Sequence, residues 1–155
     1  MTTSMTNELY ANVPADVQQE LTEEAKSETA RQGTKLIQHG VSPKRLIFLD
    51  SGSAEITVPV GGKNISLGQV GPGKVLGLRS IMCGEVPEID VTCLEDCKIS
   101  LLSSETFLDV LRRNPQMYFA LVKILTSDLK TVQSFLREKT GKAKPAAARS
   151  RPRVN

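Results

Sequence analysis

The sequence predicts a mainly β domain with flanking α-helices, built on an antiparallel β-roll of about seven or eight short strands. Three observations lead there. Between residues 33 and 102, glycine and proline turn signals recur every eight to twelve residues or so and separate short β-branched runs, the spacing of a roll or barrel. On either side the apolar period lengthens to that of helices. The length of 155 residues suits one domain with one core.

The elements follow in chain order. Residues 1 to 13 are polar and unpatterned, and a disordered N-terminus is expected there. Pro14 suits a helix start, Asp16 suits the first turn, and PADVQQELTEEAKSETARQ is rich in helix formers. A helix is expected over about 15 to 30, anchored by Val17 and Leu21 with Ala25 as a smaller contact, and ended by Gly33. Strand-like runs then read TKLIQ (34–38), RLIFLD (45–50), SAEITVPV (53–60), ISLGQV (65–70), KVLGL (74–78), IDVTC (89–93) and KISLL (98–102). Gly61 and Gly62 supply the positive backbone angles of a tight hairpin, and Gly71, Pro72 and Gly73 turn the next corner. Strands do not alternate with helices, which excludes a doubly wound dinucleotide fold.

Beyond residue 102 the helical period returns. Ser103 or Ser104 caps a short helix to about Arg113, with Phe107, Leu108 and Leu111 on its apolar side. Asn114 and Pro115 stop it and start another, a long helix over about 115 to 138. Apolar residues at 118, 121, 122, 125, 129, 132, 135 and 136 make a continuous stripe. At about 1.5 Å per residue the helix spans roughly 36 Å, more than a small barrel covers, so the overhang needs a partner. Tyr118, Leu121, Val122, Leu125, Leu129, Val132 and Leu136 are the expected interface of a homodimer.

Charge is unevenly placed. The net charge is +3, but Lys142, Lys144, Arg149, Arg151 and Arg153 lie in the last fourteen residues with no acid among them, leaving the body at −2. The Pro- and Ala-rich segment 140 to 155 therefore reads as a disordered basic tail, and the body offers no broad basic face to nucleic acid. Aromatic residues are 4% of the chain and Trp is missing, so the core must be aliphatic. No basic-then-apolar leader and no run of about eighteen apolar residues occurs, so neither export nor a membrane partner is expected. An odd set of three cysteines fits a reducing compartment, and the cytoplasm is the expected location.

Candidate chemistry is sparse. His39 is the single histidine and reads as a strand-end residue, since metal-dependent barrels use two or more beside a carboxylate. Glu85 and Glu88 read as loop charges and Asp90 as facing outward from its strand. Cys93 and Cys97 read as small apolar packing; they lack Cys-X-X-Cys spacing, and three cysteines are too few for an iron-sulfur cluster. GPGK at 71–74 precedes a strand and lacks the rest of a phosphate loop, so it is a turn. No nucleophile and base are paired; no catalysis, metal or cofactor is expected.

The order helix, roll, short helix, long helix resembles the cyclic nucleotide-binding domain of the catabolite-activator and fumarate-nitrate regulators. The residues carrying the likeness are GTKLIQHGVSPKRLIFLDSGSAEITV with Gly33, Gly40 and Gly52, then GQVGPGKVLGL, then LEDCKISLLSSETFLDVLRRNP. The resemblance implies an eight-stranded roll within a domain over 14 to 139. It also implies a ligand cassette in which a glutamate after a glycine binds the ribose and an arginine some nine or ten residues later pairs with the cyclic phosphate. Here Gly77 is followed by Leu78, and the arginine's place falls on Pro87 or Glu88. Gly77, Leu78, Arg79, Ser80, Glu88 and Asp90 are the cassette residues to examine, with Arg79 the sole cation among them.

A lost charge-assisted phosphate contact forfeits about 1.5–3 kcal/mol. A carboxylate in its place adds repulsion of up to roughly 4 kcal/mol at an effective dielectric near 20. Together these weaken binding by about a thousandfold or more. The expected function is a non-catalytic regulatory or sensor domain, dimeric, working through a partner or an unidentified small ligand. The resembling regulators carry a DNA-reading domain after the long helix, for which too few residues follow here, so sequence-specific DNA binding is not expected. Alternatives are a nucleic-acid adaptor using the basic tail, a cyclic nucleotide binder with an atypical cassette, and a metal-dependent barrel enzyme.

Overall fold

The structure, a computed structural model, describes residues 7 to 126. A 3-10 turn at Tyr10–Asn12 precedes α1 (Ala15–Glu24). Five strands follow: β1 (Lys26–Ala30), β2 (Lys35–Ile37), β3 (Arg45–Ser51), β4 (Ala54–Val60) and β5 (Lys63–Val70). Next come β6 (Val75–Leu76), α2 (Leu78–Cys83), β7 (Asp90–Cys93), β8 (Cys97–Ser103) and α3 (Ser104–Arg113). A last helix, α4, runs from 117 to 126, where the described residues end. The eight strands form two four-stranded sheets, ordered β1-β8-β3-β6 and β2-β7-β4-β5, with antiparallel pairing throughout. The mainly β roll with flanking helices is the predicted fold class.

Why these residues roll up is visible in β3. Its run Leu46-Ile47-Phe48-Leu49 is buried at every position, because one face meets the second sheet and the other lies beneath the helices. Ile47 and Leu49 join Leu76, Val91, Ile99 and Leu101 between the sheets. Leu46 and Phe48 join Leu21, Leu102, Phe107 and Leu121 in the helical layer. The outer face of the second sheet is partly open, and β4 and β5 expose residues accordingly.

Four expectations are corrected. The N-terminal helix ends at Glu24 and not near residue 30. After Leu21 its apolar stripe runs out, and Lys26–Ala30 instead pairs with β8, from Lys26↔Leu101 to Ala30↔Cys97; a five-residue ladder outweighs weak helix propensity. Gly33 consequently turns a strand corner, not a helix end. Residues 7 to 13, expected to be disordered, are packed: Leu9, Tyr10 and Val13 are buried, and the Asn7 carboxamide oxygen accepts the Leu9 and Tyr10 N–H groups at 3.0 and 2.8 Å. Each large apolar side chain so buried stabilises by about 1.5–3 kcal/mol. The 1 to 6 portion lies outside the described residues.

The third correction is α2, a helix inside a stretch read only as strand and turn. The fourth concerns the last helix, which starts at 117 after tight turns at Asn114 and Pro115. Met117, Ala120, Leu121 and Ile124 face the core, so Leu121 does not lie on the expected partner face. Leu125 is half-buried on the same side, whereas Tyr118 and Val122 point away together with Phe119. Leu129, Val132 and Leu136, the continuation of the helix expected to about 138 and the expected basic tail fall outside the described residues. In α3, capping by Ser103 is as expected, its hydroxyl accepting the Thr106 N–H at 3.1 Å.

Candidate ligand cassette

The cassette runs from β6 through α2 to β7. Gly77 opens it with φ of 89°, a left-handed conformation at the N-cap of α2. A Cβ there would stand 3.2 Å from the Arg45 carbonyl oxygen and 3.5 Å from Pro43, so the β2–β3 loop packs tightly against this turn and only glycine fits. Gly84, at φ of 73°, closes α2 with its N–H on the Ser80 carbonyl at 2.8 Å. The two glycines hold a six-residue helix between them.

Each cassette residue has a definite place. Leu78 is 2% exposed and packs in the helical layer with Leu46, Val75 and Leu102. Arg79 is on the exposed side of α2, its Nε 3.2 Å from Glu85 Oε1. Ser80 is half-buried, and its carbonyl is taken by Gly84. Pro87 is half-buried, its carbonyl accepting the Gly40 N–H at 2.9 Å, while Glu88 is exposed. Asp90, expected to face outward, is buried instead. One carboxylate oxygen accepts the His39 backbone N–H at 2.7 Å and the other lies 3.6 Å from Lys35 Nζ.

Asp90 therefore ties β7 to the end of β2, and a buried carboxylate with two partners is a structural brace. His39 contributes its backbone N–H and lies in the turn two residues beyond β2, not in the strand itself. The partners of Arg79 and Asp90 were missed. Glu85, six residues after Arg79, was a readable signal for the first; nothing in the sequence pairs His39 with Asp90 across fifty-one positions. Among the described residues no group of three or more His, Cys, Asp and Glu side chains gathers about one point that could hold a metal ion. A separate polar groove lies between α1 and α3, where Arg113 bridges Glu20 at 2.6 Å and Asp109 at 3.2 Å.

The eight-stranded roll, the glycine-bounded helix set between β6 and β7, and the helices laid over one sheet define an antiparallel β-roll with a helical layer on one face. The family model for the cyclic nucleotide-binding domain matches residues 27–114, and the chain belongs to that family. The Thermus thermophilus catabolite activator protein superimposes with a TM-score of 0.74 at 20% identity, over 86% of this chain and 63% of that one. A cyclic nucleotide-binding domain from Methylobacillus flagellatus gives 0.74 at 15% identity, over 84% and 76%. The regulatory subunit of a cAMP-independent protein kinase A from Trypanosoma brucei gives 0.69 at 13% identity, over 84% and 47%. This chain thus spans less than two thirds of the Thermus and Trypanosoma proteins. No curated protein matches it. No described helix is long and apolar enough to cross a membrane.

Proposed function

We propose that this domain is a non-catalytic regulatory module that does not hold cyclic AMP or cyclic GMP in the family's usual mode, and that acts through self-association and through a partner or a different ligand. One observation carries the reading: by the family's spacing the place of the phosphate-binding arginine falls on Pro87 or Glu88, and the nearby cation, Arg79, faces Glu85. A cyclic phosphodiester entering this corner meets a carboxylate where it needs a guanidinium. A precedent supports it: the Trypanosoma brucei neighbour is described as cAMP-independent, and a triple variant of it, one change introducing an arginine, is bound to cAMP in its A site.

Isothermal titration with cyclic AMP and cyclic GMP tests this, using the native chain and a Leu78→Glu/Pro87→Arg/Glu88→Ala variant. The native chain gives no micromolar binding, and the variant gains affinity for one or both nucleotides. Micromolar binding by the native chain overturns the reading.

For self-association the support is the outward face of α4, where Tyr118, Phe119 and Val122 are 47%, 82% and 61% exposed. Three neighbouring apolar side chains left in water on a helix whose other apolar residues pack to the core favour a second copy as their cover. Sizing by light scattering gives a dimer for the native chain and a monomer for Phe119→Glu/Val122→Glu. A monomeric native chain at tens of micromolar removes this part of the proposal.

A further inference from the structure

Two of the three cysteines meet at the corner where the chain passes from one sheet to the other. Cys93 is the last residue of β7 in the second sheet, and Cys97 the first of β8 in the first sheet. They are 2% and 0% exposed and share the apolar cluster between the sheets. The Ser53 carbonyl brings them together: it accepts the Leu94 N–H at 2.9 Å and the Cys97 thiol at 3.4 Å, while Ala54 beside it pairs with Cys93. The Cys97 thiol also lies 3.4 Å from the Glu95 carbonyl oxygen within the same corner. Gly52 leaves the space that the Cys97 sulfur fills, since a Cβ there would lie 2.7 Å from it.

We infer that the β7–β8 corner is a redox-responsive dithiol in which Cys93 and Cys97 join in an intramolecular disulfide. The oxidant is a small disulfide such as glutathione disulfide. One cysteine loses its proton and attacks a glutathione sulfur, releasing one glutathione thiolate and leaving a mixed disulfide. The other loses its proton and attacks that bond, closing the protein disulfide and releasing the second glutathione. The protein gives up two protons and two electrons; glutathione disulfide becomes two glutathione thiols.

The surroundings set the rate. Burial first, and then the influence of the Cys97 side chain, push the Cys93 thiol up to about 12, so little thiolate exists in the closed corner. Reaction follows transient opening of bonds that clamp the corner, among them Gly33 N–H to the Cys93 carbonyl and Cys93 N–H to the Thr34 carbonyl, both 2.8 Å, and Gln32 N–H to the Asp96 carboxylate at 2.8 Å. Once one sulfur is modified, its partner waits four residues away in the same buried corner, so the mixed disulfide resolves quickly. The bridge ties the last residue of β7 to the first of β8 and staples the two sheets. This inference is independent of the nucleotide reading.

The full chain is incubated with glutathione disulfide, free thiols are alkylated in denaturant, and peptides are mapped by mass spectrometry. The expected product is a Cys93–Cys97 bridge, about 2 Da lighter than the dithiol, formed more slowly than glutathione adds to exposed Cys83 and reversed by dithiothreitol. The bridge persists in Cys83→Ser, a surface change that leaves the core intact, and is missing in Cys97→Ser. The inference is overturned if Cys93 and Cys97 are both alkylated after Cys83 is fully modified. A lasting glutathione adduct on either one, or a bridge that forms only in denaturant, overturns it equally.

Discussion

The Arg79 guanidinium meets the Glu85 carboxylate at 3.2 Å, joining the start of α2 to the loop that leaves it. Both side chains are more than half exposed, at 53% and 59%, so water and salt screen the pair and it contributes about 0.2–1 kcal/mol. Glu85→Ala therefore shifts stability in urea by less than about 1 kcal/mol, and by less still at high salt. A loss beyond about 2 kcal/mol would mean the pair holds the cassette together.

Asp90 behaves differently because it is buried. Removing its carboxylate in Asp90→Ala leaves the His39 N–H without its acceptor and costs about 1–3 kcal/mol. Asp90→Asn keeps an acceptor oxygen and costs less. Urea unfolding of both variants checks the order; equal losses would place the effect on the charge pairing with Lys35 and not on the N–H.

Asp50 supplies a pH dependence. Burial, which outweighs the stabilising hydrogen bond from the Ser100 hydroxyl at 2.5 Å, raises its carboxyl above the usual range. The folded state thus holds this proton more tightly than the unfolded chain. Its stabilising contribution is fully present below the unfolded-state value and is lost as pH rises through the folded-state value. Asp50→Asn, which never ionises, gains on the native chain between acid and neutral pH. Urea midpoints at pH 4 and pH 7 measure that gap; a gap that narrows toward pH 7 reverses the sign.

Two glycines separate backbone strain from crowding. Gly61 has φ of 58° and nothing within 4 Å of a Cβ, so Gly61→Ala costs about 1–2 kcal/mol from conformation alone. Gly52 has φ of 94° and a Cβ there meets the Cys97 sulfur at 2.7 Å and the Asp96 carbonyl at 3.0 Å. Gly52→Ala adds overpacking of about 1–3 kcal/mol to the same strain. Thermal unfolding of the two variants ranks them, and equal midpoints would show that the corner relaxes freely.

How far the sequence could be read depended on the range of the signal. The roll was legible because β3 to β8 are bounded by local turn chemistry, and α3 because Ser103 and Asn114 mark its ends. β1 was not, since KSETA carries no strand period and becomes a strand through partners some seventy residues away on β8. The packed segment at 7 to 13 hid behind its polar neighbours, although Leu9, Tyr10 and Val13 have the spacing of a single helical turn. In α4 the apolar stripe read as one surface is two: Leu121 belongs to the inner one and Val122 to the outer, and only the packed helix tells them apart. In the cassette the burial of Asp90 was not legible, because one of its partners is a backbone N–H and the other, Lys35, lies fifty-five positions away.

Because β3 is covered on both sides, its alternate side chains serve both the helical layer and the space between the sheets, as Val75 and Leu76 of β6 and Leu101 and Leu102 of β8 also do. Neither layer can melt by itself without exposing half of β3 to water. Cooperativity is thereby written into four adjacent residues, and the amides of Leu46, Ile47, Phe48 and Leu49 are expected to exchange with solvent only when the whole domain unfolds.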